Sequence, residues 1–339
     1  IVDCYVIPPD NLYHAVLPEK GEKLVFDLIP KRGKWASPEL KWAIKVGYKI
    51  EKIYEIWNWE ETTDTLFKEY VSKFLKIKQE ASGWEAAEGY DVFNTDKEIA
   101  ETAKRQYIKD YYENQGILME YDKIALNKGL RAIAKLCLNS LWGKFGQRSN
   151  MGSSEMCIDK ARFLEIVNNE TYTNIHWNEY GENHIEVSWK IKEEYVENEV
   201  DTNVAIAVFT TSHARARLYR GLHLLQHQVL YFDTDSIVYI KKEGGVELEL
   251  GNYLGEWTDE LEGYKMVGTF VAGGPKNYSY EKIKDGETKS GFISKVKGIT
   301  LNKATREKIN HASMINVIKN RYKPNNQIPI EYGTIKANK

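Results

Sequence analysis

Cysteine is scarce in this 339-residue chain: Cys4, Cys137 and Cys157 are the three, and no Cys-x-x-Cys pair occurs. That spacing argues against a disulfide scaffold or a thiolate zinc site and suggests reduced core cysteines in a reducing, intracellular compartment, with viral, nuclear and mitochondrial settings all open. Long apolar runs are missing as well. None approaches the ~20 residues of a membrane span, so a soluble chain with no membrane partner is expected. The seven histidines lack zinc-ligand spacing, and no internal repeat or low-complexity tract is present. Net charge is almost absent too, at −2, but the total hides an asymmetry. Residues 155–201 are rich in acids, whereas 288–330 carry nine Lys or Arg against Glu307 alone. A charged ligand responds to the local field and not to the sum.

Acids are also missing from one long internal stretch. Between residues 123 and 154 stand Lys123, Lys128, Arg131, Lys135, Lys144 and Arg148, with no Asp or Glu. Lys128, Arg131, Lys135, Asn139 and Trp142 follow at steps of three or four, which puts them on one stripe of a helix, with Leu130, Ile133, Ala134, Cys137, Leu138 and Leu141 largely on the rest. Arg and Lys one turn apart suit a polyphosphate. Asn139 offers hydrogen bonds and Trp142 a flat surface for a base, while Gly143 and Gly146 let a backbone approach closely. A solvated helix face ending in a glycine cap is the plainer alternative, although a face serving only solubility usually mixes both signs of charge.

At 231–236 the chain has Tyr-Phe-Asp-Thr-Asp-Ser, where Asp233 and Asp235 bracket one residue between the apolar runs 229–232 and 237–240. The pattern predicts a hairpin with acids at its tip. Two carboxylates held close repel each other, and a hard divalent cation such as Mg²⁺, which takes oxygen ligands and suits phosphate chemistry, relieves the repulsion. An ordinary solvated turn using Asp for local hydrogen bonds stays open beside that reading.

With 42% hydrophobic and 12% aromatic residues, the chain can bury a sizeable core and is expected to divide into two or three lobes. Strand-like runs at 2–7, 24–29 and 48–57 surround a helix opened by Ser37-Pro38-Glu39. Long helices are expected near 63–81 and 123–145, with a charged helix at 96–114, closed by Gly116, between them. Residues 172–189 suggest a hairpin turning at 178–183. Residues 203–226 suggest a helix whose His213, Arg215, Arg217 and Arg220 belong to an outer face or an inter-lobe contact.

Three ordered motifs carry a resemblance. Lys135-Leu-Cys-Leu-Asn139-Ser140-Leu-Trp142-Gly143 resembles the fingers motif Lys-x-x-x-Asn-Ser-x-Tyr-Gly of family B DNA polymerases. The Asp233/Asp235 stretch resembles their palm motif Tyr-x-Asp-Thr-Asp-Ser, and Pro275-Lys276-Asn277-Tyr278 the Lys-x-Tyr motif that follows it. Residues 6–18, 74–83, 139–148 and 270–280 further resemble the protein-primed branch found in viruses, organellar plasmids and self-synthesising transposons. The resemblance covers Val6 to about Asn302 and implies an α+β fold: a polymerase palm whose antiparallel sheet bears the Asp-x-Asp hairpin, helical fingers and a partial thumb. It implies a palm-proximal insertion at 1–62, similar to the region that contacts terminal protein or duplex, fingers at 63–148, a second insertion-like hairpin region at 149–202, palm at 203–285 and partial thumb at 286–339.

The activity implied is DNA-directed DNA polymerisation, nucleotidyl transfer to a primer 3′-hydroxyl or a protein primer with two Mg²⁺ ions, or Mn²⁺ in their place. By the resemblance Asp233 and Asp235 are the catalytic metal ligands, Asp235 the direct one. Lys78, Arg131, Lys135, Asn139 and Gly143 would bind the dNTP, and Trp142, Lys276, Tyr278, Lys295 and Lys297 the DNA. Template–primer DNA, dNTPs and a terminal protein are the implied partners. Trp142 replaces the usual Tyr, which leaves base discrimination open.

The first palm motif, Asp-x-x-Ser-Leu-Tyr-Pro, is not found. Asp3, in Val2-Asp3-Cys4-Tyr5-Val6-Ile7-Pro8, lacks the Ser-Leu-Tyr core and falls where the resemblance expects a non-catalytic strand. The chain is therefore expected to be a fragment lacking that motif and any exonuclease domain, with little activity alone. Two other classes stay open: a catalytically inactive DNA-binding relic of a mobile element, and a glycosyltransferase holding a metal–nucleotide diphosphate with Asp-x-Asp.

Overall fold

The computed structural model describes residues 1–21, 24–148, 150–181, 183–196, 202–261, 263–323 and 327–328. Two units divide the chain: Ile1–Asn58 with Ser212–Lys339, and Trp59–Thr211.

The first unit begins with β1 (Val2–Ile7), a ribbon of β2 (Pro18–Lys20) and β3 (Leu24–Phe26), then β4 (Lys31–Trp35), α1 (Ser37–Lys45) and β5 (Lys49–Ile56). Strand β1 lies between β4 and β5, antiparallel to both. Its period of two turns Cys4 and Val6 to one face, where both are fully buried. Helix α1 has Pro38 in its first turn, where the absent N–H costs no hydrogen bond, and its Leu40 and Ala43, three residues apart, enter the same core.

The second unit carries α2 (Lys68–Glu80), α3 (Lys97–Gln115), α4 (Lys128–Phe145), β6 (Ser153–Cys157), α5 (Lys160–Val167), β7 (Tyr172–Tyr180), β8 (His184–Ile191) and the start of α6 (Val204–Leu225). Helix α3 is bounded as the sequence suggests: Asp96 accepts the N–H groups of Glu98 and Ile99, and Gly116 ends it at φ +67°. Helix α4 starts later than its periodicity predicts, at Lys128, because Asn127 accepts the N–H of Leu130 as a cap and residues Tyr121–Lys123 form a separate short turn. Helices α2 and α4 pack together, joined where the N–H groups of Ala125 and Asn127 meet the carbonyls of Glu80 and Ala81 at 3.1 and 2.9 Å. The buried Glu80 carboxylate accepts the Glu120 N–H at 2.7 Å and completes the junction. Strands β6, β8 and β7 form an antiparallel sheet whose Cys157, Val187 and Trp189 pack on Ile166 of α5.

After α6 the first unit resumes with β9 (Val229–Asp233), β10 (Ser236–Tyr239), β11 (Tyr264–Gly274), β12 (Asn277–Lys284), β13 (Ser290–Val296), α7 (Lys303–Lys308) and α8 (His311–Lys319). Leu218, Tyr219 and Leu222 of α6 share one core with Cys4, Val6, Trp35 and Leu40. Arg215 reinforces it, donating two hydrogen bonds at 2.6 and 3.0 Å to the buried carboxylate of Glu39. Strands β11, β12 and β13 form a second antiparallel sheet, covered by α8 through Val271, Ile309 and Met314. The architecture is thus a mixture of helices and separate antiparallel sheets, consistent with α+β. Strands β9 and β10 form a two-stranded sheet of their own, hydrogen-bonded to no third strand among the described residues. No helix among those residues is long and apolar enough to cross a membrane.

Candidate active site

Strands β9 and β10 pair antiparallel with Asp233 opposite Ser236, so Thr234 and Asp235 make the turn. The Asp235 N–H donates to the Asp233 carbonyl at 2.6 Å, and Thr234 is driven to φ +55°, a region that β-branched residues rarely enter. This strained tip presents the two acids differently. Asp235 is exposed; Asp233 is half-buried and accepts hydrogen bonds from Lys276 Nζ at 2.7 Å and Thr234 Oγ1 at 2.9 Å. Partial desolvation pushes the Asp233 carboxyl up, but the bonds from Lys276 and Thr234 outweigh it and hold the group below its ordinary value. The same contact raises the Lys276 ammonium.

The Lys276 loop is fastened to the hairpin by its backbone as well. Its N–H donates to the Tyr231 hydroxyl at 2.9 Å, and the residue adopts φ +60° at the turn between β11 and β12. Tyr278 follows, with its ring centroid 5.0 Å from that of Tyr231 and 6.0 Å from that of Phe270, and lies opposite Lys295 across the β12–β13 ladder. Lys297 is exposed, and its N–H donates to Asn277 Oδ1 at 3.0 Å. The structure therefore brings Asp233, Asp235, Lys276, Tyr278 and Lys295 into one neighbourhood, with Lys297 two residues further on, just past the end of β13. Tyr231 is the member that motif reading left without a role. Its hydroxyl acts on a residue 45 positions later, which no local periodicity signals.

In the second unit, Lys78, Arg131 and Lys135 gather where the last turn of α2 meets α4. Arg131 Nε donates to Ser82 Oγ at 3.0 Å, and Ser82 Oγ donates in turn to the Lys78 carbonyl at 2.7 Å. No carboxylate forms an ion pair with any of the three cations among the described residues. Desolvation, then the charges of Arg131 and Lys135, push the half-buried Lys78 ammonium below its ordinary value. Three cations held together without a counter-charge make a field that an anion would relieve. Asn139, Trp142 and Gly143 continue along the exposed side of α4, Trp142 being 42% exposed. A Cβ on Gly143 would meet nothing within 4 Å, so no protein neighbour requires the glycine there. Leu130 and Ile133 are exposed too, at 45% and 60%, so the rest of this helix is not a buried face.

Asp3 does not join the acids. It is buried, 3% exposed, and accepts a bidentate pair from Arg32 Nε and Nη2, each at 2.9 Å, which lowers its carboxyl. No group of three His, Cys, Asp or Glu suited to a metal ion occurs among the described residues.

The first unit thus carries a ribbon-borne acid pair, and the second a helix-borne cluster of cations. The family model of organellar and viral type B DNA polymerases matches residues 1–90 and 92–223, and the chain belongs to that family. The match ends before the Asp233–Asp235 turn. A protein of Agaricus bitorquis named "Probable DNA polymerase" is 23% identical over 348 residues, covering 92% of this chain and 35% of that protein. The chain thus spans about a third of that relative's length. No solved structure matches the chain.

Proposed function

We propose that this chain supplies the nucleotide-binding and primer-binding parts of a DNA-directed DNA polymerase. The observation that carries the reading is the trio Lys78, Arg131 and Lys135, cations that share one helix junction without a carboxylate. Lys135 and Arg131 would take the triphosphate, with Lys78 beside them, and Asn139 and Gly143 would shape the space for the base pair. Trp142 would lie against the DNA. Asp235, exposed at the hairpin tip, is the acid best placed to accept a divalent ion, and Asp233 could serve once Lys276 leaves it. Two carboxylates fit part of such a site, and a further acid from outside the chain would complete a pair of ions. Mg²⁺ or Mn²⁺, when bound, would lower the pKa of the attacking hydroxyl and neutralise the leaving pyrophosphate. Lys276, released from Asp233, would hold the primer terminus with Tyr278, and Lys295 and Lys297 would follow the duplex backbone.

The five regions keep their proposed roles: duplex or terminal-protein contact at 1–62, fingers at 63–148, a second insertion at 149–202, palm at 203–285 and partial thumb at 286–339. The missing first palm motif and the third of the relative's length that is covered support reading the chain as part of a longer enzyme with little activity alone. The engagement of Asp3 by Arg32 supports one second reading, a DNA-binding relic without catalysis. The test is templated dNTP incorporation by the protein joined to its upstream coding sequence, with Lys135→Ala beside it. Incorporation that Lys135→Ala weakens through dNTP dependence supports the polymerase. Metal-dependent DNA binding with no incorporation supports the relic.

A further inference from the structure

Helix α6 turns two different faces outward and inward, and its basic residues divide between them. Leu218, Tyr219 and Leu222 point into the core, together with Arg215, whose guanidinium is taken by Glu39. On the opposite side, His213, Arg217, Arg220 and Leu224 follow at steps of four, three and four and are all exposed. Two tryptophans flank that stripe. The Arg217 guanidinium lies 6.0 Å above the Trp257 ring, and Arg220 lies 6.0 Å above Trp42, whose ring also carries Lys45 at 5.0 Å. None of Arg217, Arg220 and Lys45 is in an ion pair among the described residues. Rings beside a guanidinium limit its rotation while leaving N–H groups free to meet an anion, and that fork matches phosphate oxygens bidentately.

We propose that the outer face of α6, from Trp42 and Lys45 across Arg220 and Arg217 to Trp257, binds the phosphodiester backbone of nucleic acid, as a contact separate from the acid hairpin and from Lys295 and Lys297. Charge complementarity selects the occupant. Leu224 is the single exposed apolar side chain on the stripe, too little for the apolar anchor of a protein interface. The face offers cations and no array of groups for base edges, so it holds nucleic acid without reading sequence. Membership of a DNA polymerase family gives the chain its nucleic-acid partner; the inference rests on that and not on the assignment of Asp233 and Asp235.

The experiment measures binding of a labelled blunt duplex by the full chain in EDTA, without dNTP, so the result stands apart from any incorporation assay. Arg217→Ala/Arg220→Ala should weaken binding about tenfold or more at ~0.1 M salt and reduce the slope of log K against log salt by about 1.8, for two lost phosphate contacts. Arg217→Lys/Arg220→Lys should keep the slope and lose part of the affinity. Independently of any variant, bound duplex should protect Arg217 and Arg220 of the wild-type chain from phenylglyoxal, read by peptide mass spectrometry. An unchanged affinity and slope in a folded double-Ala variant overturns the proposal, as does absence of protection. Protection by poly-glutamate or phosphatidylserine vesicles but not by duplex overturns it too, assigning the face to an acidic protein or a membrane surface.

Discussion

The acid turn at Asp233 and Asp235 and the cation cluster of Lys78, Arg131 and Lys135 both crowd like charges, yet the fold handles them in opposite ways. The turn has its own counter-charge: Lys276 sits 2.7 Å from Asp233, and Asp235 is left in water. The helix junction has none, and Lys78, desolvated by burial and facing the charges of Arg131 and Lys135, holds its proton less tightly than a free lysine. A cluster provided with an internal counterion is complete until a stronger ligand displaces that ion. A cluster without one pays an electrostatic cost in the empty protein that an arriving anion removes. The difference suggests two kinds of readiness, exchange at the hairpin and filling at the helices.

The comparison breaks most visibly at Asp235. In the protein joined to its upstream sequence, Asp235→Asn should lower incorporation by about 10³-fold or more while DNA affinity stays within a few fold, since charge at the metal acts on the transition state. Near-normal turnover of that variant in steady-state assays would remove the hairpin from the chemistry.

Next in size is the helix junction. Lys135→Ala should cost about 2–4 kcal/mol in dNTP use if the triphosphate is largely desolvated, with DNA affinity and its salt slope unchanged. Lys295→Ala and Lys297→Ala should do the reverse, each reducing the salt slope by roughly one unit. A paired measurement of salt dependence and dNTP dependence separates them, and an exchange of the two signatures would undo the assignment.

Smaller effects test the charge argument in the unliganded protein. Lys78→Met should raise the melting temperature slightly at low salt, by the equivalent of roughly 0.5 kcal/mol, because it removes a desolvated charge together with its like-charge contacts to Arg131 and Lys135. The sign in pH follows from the lowered ammonium. The penalty is full below the folded pKa of Lys78 and fades as pH rises from there toward the ordinary value of 10.5, so the variant's advantage should disappear over that interval. Inorganic triphosphate should stabilise wild type more than Lys78→Met. A variant melting lower than wild type at neutral pH and low salt would show that the three cations do not strain the fold.

The least effect is expected at Lys276. Asp233 has a folded pKa below 3.8, so its pair with Lys276 stabilises above that value and is lost as pH falls through the lowered pKa. Lys276→Ala should therefore destabilise at neutral pH and converge with wild type in acid. The half-exposed lysine keeps the difference to about 0.3 kcal/mol. Equal melting curves from pH 2 to 7 would show that the ion pair contributes nothing to the empty site.

Much of the local structure was legible in the residues. Asp96 and Gly116 bounded α3, Pro38 fell in the first turn of α1, although Ser37 does not cap that helix and Ala36 precedes it without a side-chain hydrogen bond, and the two apolar runs around Asp233 and Asp235 became β9 and β10, because helix terminators, proline and period-two alternation act over a few residues. Helix α2 begins at Lys68 and not near 63, where Thr63 and Thr65 bond each other in a turn. Grouping Lys78 with Arg131 and Lys135 was legible through the resemblance, but the Ser82 bridge that seats Arg131 was not. The pairings that matter most join distant positions: Lys276 to Asp233, Lys276 to Tyr231, Arg32 to Asp3, Arg215 to Glu39, and α6 to the sheet around β1. Charge pattern along the chain shows that acids and cations are present. Which acid meets which cation depends on packing that brings segments tens to hundreds of residues apart within 3 Å. That is why Asp3 and Asp235, alike as letters, end as a buried partner of arginine and an exposed carboxylate.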